Sequence, residues 1–378
     1  MKRLTLPLII LAFFTLFSVT GFALGFSKTR TYTDNFKDVS SSEWYSSGIA
    51  NVYELALMEG VSADTFDIDS EMTVAQAITI AARLHSIYNG TETPKSGTGV
   101  NWYKDFVSYC KDNGIITDKQ FDSYNRSVLS YEMVELFSSA LPESFFPAVN
   151  DISYIQDVPQ NAYFYKDVML FYRAGILNGN DSYGTFYPMS AITRKRAAVI
   201  LARTVLAPER LTYSLSAKKE SYSINDILSI LDSQTVKDTL DGINLISADG
   251  YNVSAAEYRY YLYISQNNND ELEKQIKSSA AIVNTIKEMN LVFSYDVLCD
   301  ILLAYYDLRI DNYGSQSYFT ALEAQKLSDS VFAKLIAVNE LYKKAMENEA
   351  FIPAVMANQS SVSMTYAQNF DGIANLLK

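Results

Sequence analysis

Residues 174–194 contain three short phrases: Ala174-Gly175-Ile176-Leu177-Asn178-Gly179, then Gly184-Thr185-Phe186-Tyr187-Pro188, then Ile192-Thr193-Arg194. The chain carries the same grammar once before. Asp38-Val39 matches Asp157-Val158, Trp44-Tyr45 matches Tyr163-Phe164, Ile49 matches Val168 and Gly60 matches Gly179, all at an offset of 119 residues. One inserted residue raises the offset to 120, which then holds for Thr65-Phe66 and Thr185-Phe186, Thr73 and Thr193, Ala77 and Ala197, and Arg83 and Arg203. A weaker copy lies between them, with Trp102-Tyr103, Val107, Gly114-Ile115-Ile116, Phe121 and a segment from Tyr131 to Leu141. A fixed register over so many positions is an internal repeat.

Each copy reads as helix, loop, helix. The aromatic pair opens a first helix whose apolar stripe, in the first copy, is Ile49, Val52, Tyr53, Ala56 and Leu57. Gly60 and Gly179 are expected to stop that helix, because helix ends favour a left-handed residue. Thr73 and Thr193 are expected to cap the second helix. A unit of roughly 50 residues buries little alone, so three units must pack together to close a core.

These phrases resemble the S-layer homology (SLH) repeats. The resemblance spans about residues 33–211, with units at 33–92, 93–147 (the degenerate one) and 148–211. It implies a mainly α fold, with three helix-loop-helix repeats in a pseudo-threefold bundle whose grooves bind a pyruvylated secondary cell wall polymer on peptidoglycan. The family's groove arginine, in its Ile-Thr-Arg-Ala-Glu segment, falls on Arg194; Val74 and Ser130 occupy that place in the other units. Arg194 is thus the leading candidate for polymer contact, since its planar fork grips a carboxylate. Asn178, Gly179, Trp44 and Trp102 join it as candidates. The two tryptophans open helices, where core packing is the first expectation and sugar stacking the alternative. Lys195 and Arg196 read as a solvated helix face, and His85, near a helix end, as structural.

The second half is read as helical. Residues 212–242 form a connector with a brief helix around Ile224, Ile227, Leu228 and Leu231. In residues 243–378, Asp249-Gly250 marks the turn of a small hairpin. Helices then start at Ser254, at Asn269 or Asp270, near Ser294 and at Ser328, with a stop at Asp311-Asn312-Tyr313-Gly314. The run Asp249-Gly250-Tyr251-Asn252-Val253-Ser254-Ala255-Ala256-Glu257-Tyr258-Arg259-Tyr260-Tyr261-Leu262 resembles the N-terminal chaperone region of SurA/PrsA-type foldases. That resemblance implies client binding without catalysis: those foldases continue into a parvulin domain, whereas only 27 residues follow Phe351 here and no histidine follows His85. Tyr258, Tyr260, Tyr261 and Tyr263 crowd one helix and are expected to line a cleft for unfolded exported proteins. A structural S-layer or envelope component, assembling through its second half, is the alternative.

Composition bounds the rest. Of 378 residues, 48% are hydrophobic and 20% charged, which belongs to folded rather than disordered chains. Gly and Pro number only 15 and 8, in keeping with helices. A net charge of −12 argues against nucleic-acid partners. One histidine excludes multi-histidine metal sites, and two cysteines, Cys110 and Cys299, give no disulfide framework. Lys2, Arg3, an apolar run from Leu4 to Val19 and small residues to Gly25 read as an export leader over residues 1–25, cleaved after Ala23 or Gly25. The expected protein is secreted to a bacterial cell wall or surface, with no membrane span after cleavage, no cofactor and no enzymatic motif. The alternating Asp64, Asp67 and Asp69 lack the ligand order of a calcium loop.

Overall fold

The computed structural model describes residues 25–121, 123–310 and 315–377. The expected leader, apart from Gly25, and the expected stop at 311–314 lie outside the described residues. Among these residues the fold is mainly helical, with fourteen α-helices and five short strands.

The first half holds three helix pairs: α1 (Ser46–Glu54) and α2 (Val74–Asn89), α3 (Lys104–Asp112) and α4 (Ser130–Ser139), α5 (Tyr165–Arg173) and α6 (Arg194–Val205). Each first helix rests on the second helix of another unit. α3 packs on α2, α5 on α4, and α1 on α6, which closes the series into a ring. Gly48 makes the last contact possible, since a Cβ there would come within 3.0 Å of the Val199 Cα. The ring is also written in the backbone. Met72 N–H donates to the Ile192 carbonyl (2.9 Å), Ile192 to Val128 (3.3 Å) and Val128 to Met72 (2.8 Å). Two residues further on, Val74 donates to Arg126, Ser130 to Ser190 and Arg194 to Ser70, at 2.8–3.0 Å. These two triangles fix a pseudo-threefold axis and make Val74, Ser130 and Arg194 equivalent positions.

The first helices do not end at Gly60 and Gly179. The left-handed residues are Ala56 (φ 57°), Gly114 (φ 70°) and Gly175 (φ 72°), directly after each helix. Gly60 and Gly179 serve close approach instead. A Cβ at Gly60 would sit 2.4 Å from the Phe36 ring, and one at Gly179 would sit 2.4 Å from the Gly184 Cα. The caps also differ. Thr73 and Gln76 form a reciprocal capping box at α2. Thr193 forms no cap, and its hydroxyl is buried without a partner. The third residue of α6 is Arg196, which has no acceptor to return to the Thr193 N–H, so the box cannot close.

The second half begins with β1 (Ser221–Ser223) and α7 (Ile224–Asp232), followed by a hairpin of β2 (Asn244–Ala248) and β3 (Tyr251–Ser254) turning at Asp249-Gly250, both at positive φ. Then come α8 (Ala255–Ile264), α9 (Asn269–Glu288), β4 (Val292–Ser294), α10 (Tyr295–Ile310), α11 (Ser315–Ala324), α12 (Asp329–Ala345), α13 (Phe351–Ser361), β5 (Met364–Tyr366) and α14 (Phe370–Leu377). β5 adds a third antiparallel strand beside β2, and β4 pairs with β1. Ser254 and Ser328 cap α8 and α12, whereas Asn268, one residue before the expected position, caps α9.

A buried seam joins this half to the third unit. Tyr306 is 1% exposed, and its hydroxyl reaches the Asp157 carbonyl at 2.9 Å. Arg309 donates to the Met189 carbonyl at 3.3 Å while pairing with buried Asp329 at 3.5 Å. Phe164 packs against Tyr306, and one hydrophobic core runs through both halves. No helix among the described residues is long and apolar enough to cross a membrane.

Candidate functional site: two arginine-lined grooves

The ring arrangement builds each groove from several units. The groove of the first unit, about 250 Å³, is lined by its own Met58, Gly60, Gln76 and Arg83, by Trp102 of the second unit and by Arg194 of the third. The groove of the third unit, about 410 Å³, is lined by its own Asn178, Gly179, Phe186, Arg196 and Arg203, and by Trp44 of the first. Each therefore combines a glycine loop, two arginines and a tryptophan.

The loops are pinned by aspartates, half-buried Asp38 and fully buried Asp157, which explains the repeated Asp-Val and Thr-Phe phrases. Asp38 accepts the N–H groups of Phe66 (2.8 Å) and Asp67 (2.7 Å). Asp157 accepts those of Phe186 (2.8 Å) and Tyr187 (2.6 Å). Complete burial outweighs these hydrogen bonds at Asp157 and pushes its carboxyl up to about 7.

The arginines are held differently. Arg83 donates to the Leu57 carbonyl at 2.9 Å, and Arg203, its counterpart, to the Ile176 carbonyl (3.4 Å) and the Asn178 side chain (3.3 Å). Arg194 is 6% exposed, donates to the carbonyls of Phe66 (2.8 Å) and Glu59 (2.7 Å), and lies 4.7 Å over the Phe66 ring. Arg196 makes no hydrogen bond or ion pair among the described residues, although it is largely buried in the groove wall. Burial lowers the pKa of all four guanidinium groups from the usual arginine value, yet arginine stays cationic in proteins. Two buried or half-buried cations per groove, one of them unpaired in the third, favour an anionic ligand.

The second unit departs from this plan. Tyr163 stands where the tryptophans are, Ser139 replaces the arginine, and Glu135 faces Tyr163 at 3.2 Å. Glu132, at the position of Gln76 and Arg196, is bound bidentately by Arg126 at 2.6 and 2.8 Å. Burial pushes the Glu135 carboxyl up to about 7.

Of the residues singled out from sequence, Asn178, Gly179 and Trp44 meet in the third groove, while Arg194 joins Trp102 in the first. Trp44 is 59% exposed on the groove rim rather than packed in the core, and Trp102 is half-buried against Tyr103 and Phe106. Arg196 is not on a solvated face; it turns into the third groove. Lys195 is paired at the surface with Asp69. Sequence reasoning missed Arg83, Arg196 and Arg203 as groove residues, although the match of Arg83 to Arg203 at offset 120 was a signal. His85 bonds to the Tyr109 hydroxyl at 2.9 Å. Both cysteines are free, and burial pushes the Cys110 thiol up to about 12. Asp64 pairs with Lys37, and no cluster of metal-ligand type occurs among the described residues.

The expected tyrosine cleft on α8 does not form. Tyr258 is buried edge-on against Phe370, and Tyr261 is buried between Glu257 and Ser279. Tyr260 packs into the core clusters, and of the four only Tyr263 is exposed. A helix with tyrosines on every face is accommodated by packing β2, β3, α9 and α14 against it, with Tyr318 and Leu322 of α11 clustering on Ala256.

Residues 35–78 match the S-layer homology domain. That domain is a cell-wall-binding module, and its presence supports a cell-surface protein associated with wall polymer and peptidoglycan. No curated protein matches the chain.

Proposed function

We propose that the protein is an exported, non-catalytic wall-binding protein whose first and third grooves hold an anionic secondary cell wall polymer. The observation that carries this reading is the convergence, in each groove, of two arginines and a tryptophan drawn from different units. An arginine fork grips a carboxylate in two parallel hydrogen bonds. An indole face on the rim supplies flat apolar area against a sugar ring. The third groove lacks an arginine at the Ser130 position, and Arg196 supplies the missing cation from another turn of helix. The second groove, with Glu135 and Ser139, repels anions and stays outside the site. The helical second half belongs to this reading as part of the same folded body.

The test is co-sedimentation of the full-length chain with purified wall sacculi. Charge-assisted hydrogen bonds contribute about 1.5–3 kcal/mol, so Arg196→Ala and Arg194→Ala should each weaken retention about tenfold or more. The double variant should lose nearly all of it, and Lys195→Ala should behave as wild type. Unchanged retention by the double variant, with the fold intact by circular dichroism, refutes the reading.

A further inference from the structure

The loop that lines the third groove is gripped from behind by residues outside the bundle. From the connector, the Tyr213 hydroxyl donates to the Leu177 carbonyl at 2.6 Å and Ser216 N–H to Ser182 (2.8 Å), while Leu211 N–H, at the very end of the third unit, donates to Gly175 (2.8 Å). The Leu215 side chain lies so close to Gly184 that a Cβ there would meet it at 2.6 Å. From the second half, Tyr306 holds the carbonyl of Asp157, whose carboxylate carries the Phe186 and Tyr187 N–H groups. Arg309 holds the Met189 carbonyl, and the Ser190 hydroxyl donates to the Ser233 carbonyl at 3.1 Å. Leu177, Gly179 and Phe186 lie on the other side of this loop, in the groove. The equivalent loop of the first unit is held by Asp38 and Arg194 within the bundle and by Arg30 just before it, which donates to the Met58 carbonyl at 3.2 Å; none of the three belongs to the second half. The same fold element is therefore braced in two ways within one molecule.

We propose that Tyr213 and Tyr306 are positioning residues for the third groove, so that closure of the seam with the second half and occupancy of that groove stabilise each other. The first groove is independent of the second half. The physical basis is linkage: a ligand that needs the 176–190 loop in its braced shape binds more weakly when the brace is loosened, and it strengthens the brace in turn. This inference rests on the groove reading for its ligand but not for its structural part.

Hydrogen exchange followed by mass spectrometry on the full-length chain tests the brace without any ligand. Tyr306→Phe and Tyr213→Phe each remove one hydroxyl and keep the ring. Both should speed exchange at least threefold in peptides covering 176–190, Phe186 and Tyr187 above all, while peptides covering 57–69 keep wild-type rates. A second arm uses sacculi. In an Arg194→Ala background, where the third groove carries retention, Tyr306→Phe should weaken it about two- to tenfold, the range of one hydrogen bond. In an Arg196→Ala background it should change nothing. Wild-type exchange in both tyrosine variants overturns the brace, and so does equal loosening of the 57–69 and 176–190 loops. Retention indifferent to the Arg194→Ala and Arg196→Ala pair would instead sink the wall-binding reading, leaving the exchange result to judge the brace.

Discussion

At the scale of single residues, the threefold design allows each position to be compared with its counterparts. Ala56 holds the left-handed conformation that Gly114 and Gly175 hold in the other units. A non-glycine residue there costs about 1–2 kcal/mol, part of which glycine returns as unfolded-state entropy. Ala56→Gly should therefore stabilise the protein by about 0.5–1 kcal/mol, and a lower melting temperature would count against this. Glu135 offers a second comparison, since Thr79 and Val199 fill its place elsewhere. Its carboxyl, pushed up to about 7 by burial, binds a proton more tightly folded than unfolded. The raised value is thus a burden that is absent below the unfolded value near 4.5, grows as pH rises from there and is complete above about 7. Glu135→Gln keeps an oxygen for the Tyr163 hydroxyl and removes the charge. It should raise stability by roughly 1–2 kcal/mol at pH 8, after allowance for partial screening, and by almost nothing at pH 4.5. Denaturant melts at the two pH values decide it, and an equal gain at both would contradict the assignment.

At the scale of elements, α6 shows a conflict between folding and binding. Its third residue could close a capping box with Thr193, as Gln76 does with Thr73 in α2, but it is an arginine turned into a groove. Arg196→Gln should restore the box and add about 0.5–1 kcal/mol to stability, while weakening retention on sacculi. If both quantities fell together, the arginine would be structural. Helix starts were readable where the signal was local: Thr73, Ser254 and Ser328 cap as their side chains suggest, because a cap needs only the next three residues. Asn267-Asn268-Asn269-Asp270 offers several caps in a row, and a repeat of polar residues cannot say which one wins. The grooves were harder to read. Trp44 serves the third unit and Arg194 the first, because ring closure makes neighbours of segments far apart in sequence. The tyrosines of α8 went wrong for a related reason: α14, which covers Tyr258 through Phe370, left no clear pattern in the last residues.

At the scale of the whole molecule, bundle and second half share one core, so they should unfold together. Calorimetry of the full chain should give a single transition whose calorimetric and van't Hoff enthalpies agree. Arg309→Met breaks the buried pair with Asp329 and the hold on Met189, and it should cost roughly 3–5 kcal/mol. Tryptophan fluorescence, which reports only the bundle, should melt earlier by the same amount as far-ultraviolet circular dichroism, which reports both halves. Two separated transitions in the wild type would show that the seam does not couple them. The ring has one more consequence, for the order of events as the chain emerges from its N-terminus. α1 is made first, yet its packing partner α6 is made last of the six, and Asn51 finally bonds to Glu209 across 158 residues at 3.2 Å. Until residue 206 has appeared, no arc of the ring buries both of its open faces. For the export proposed above, which keeps a chain threadable through a narrow pore, a lock whose first part fits only its last is well suited.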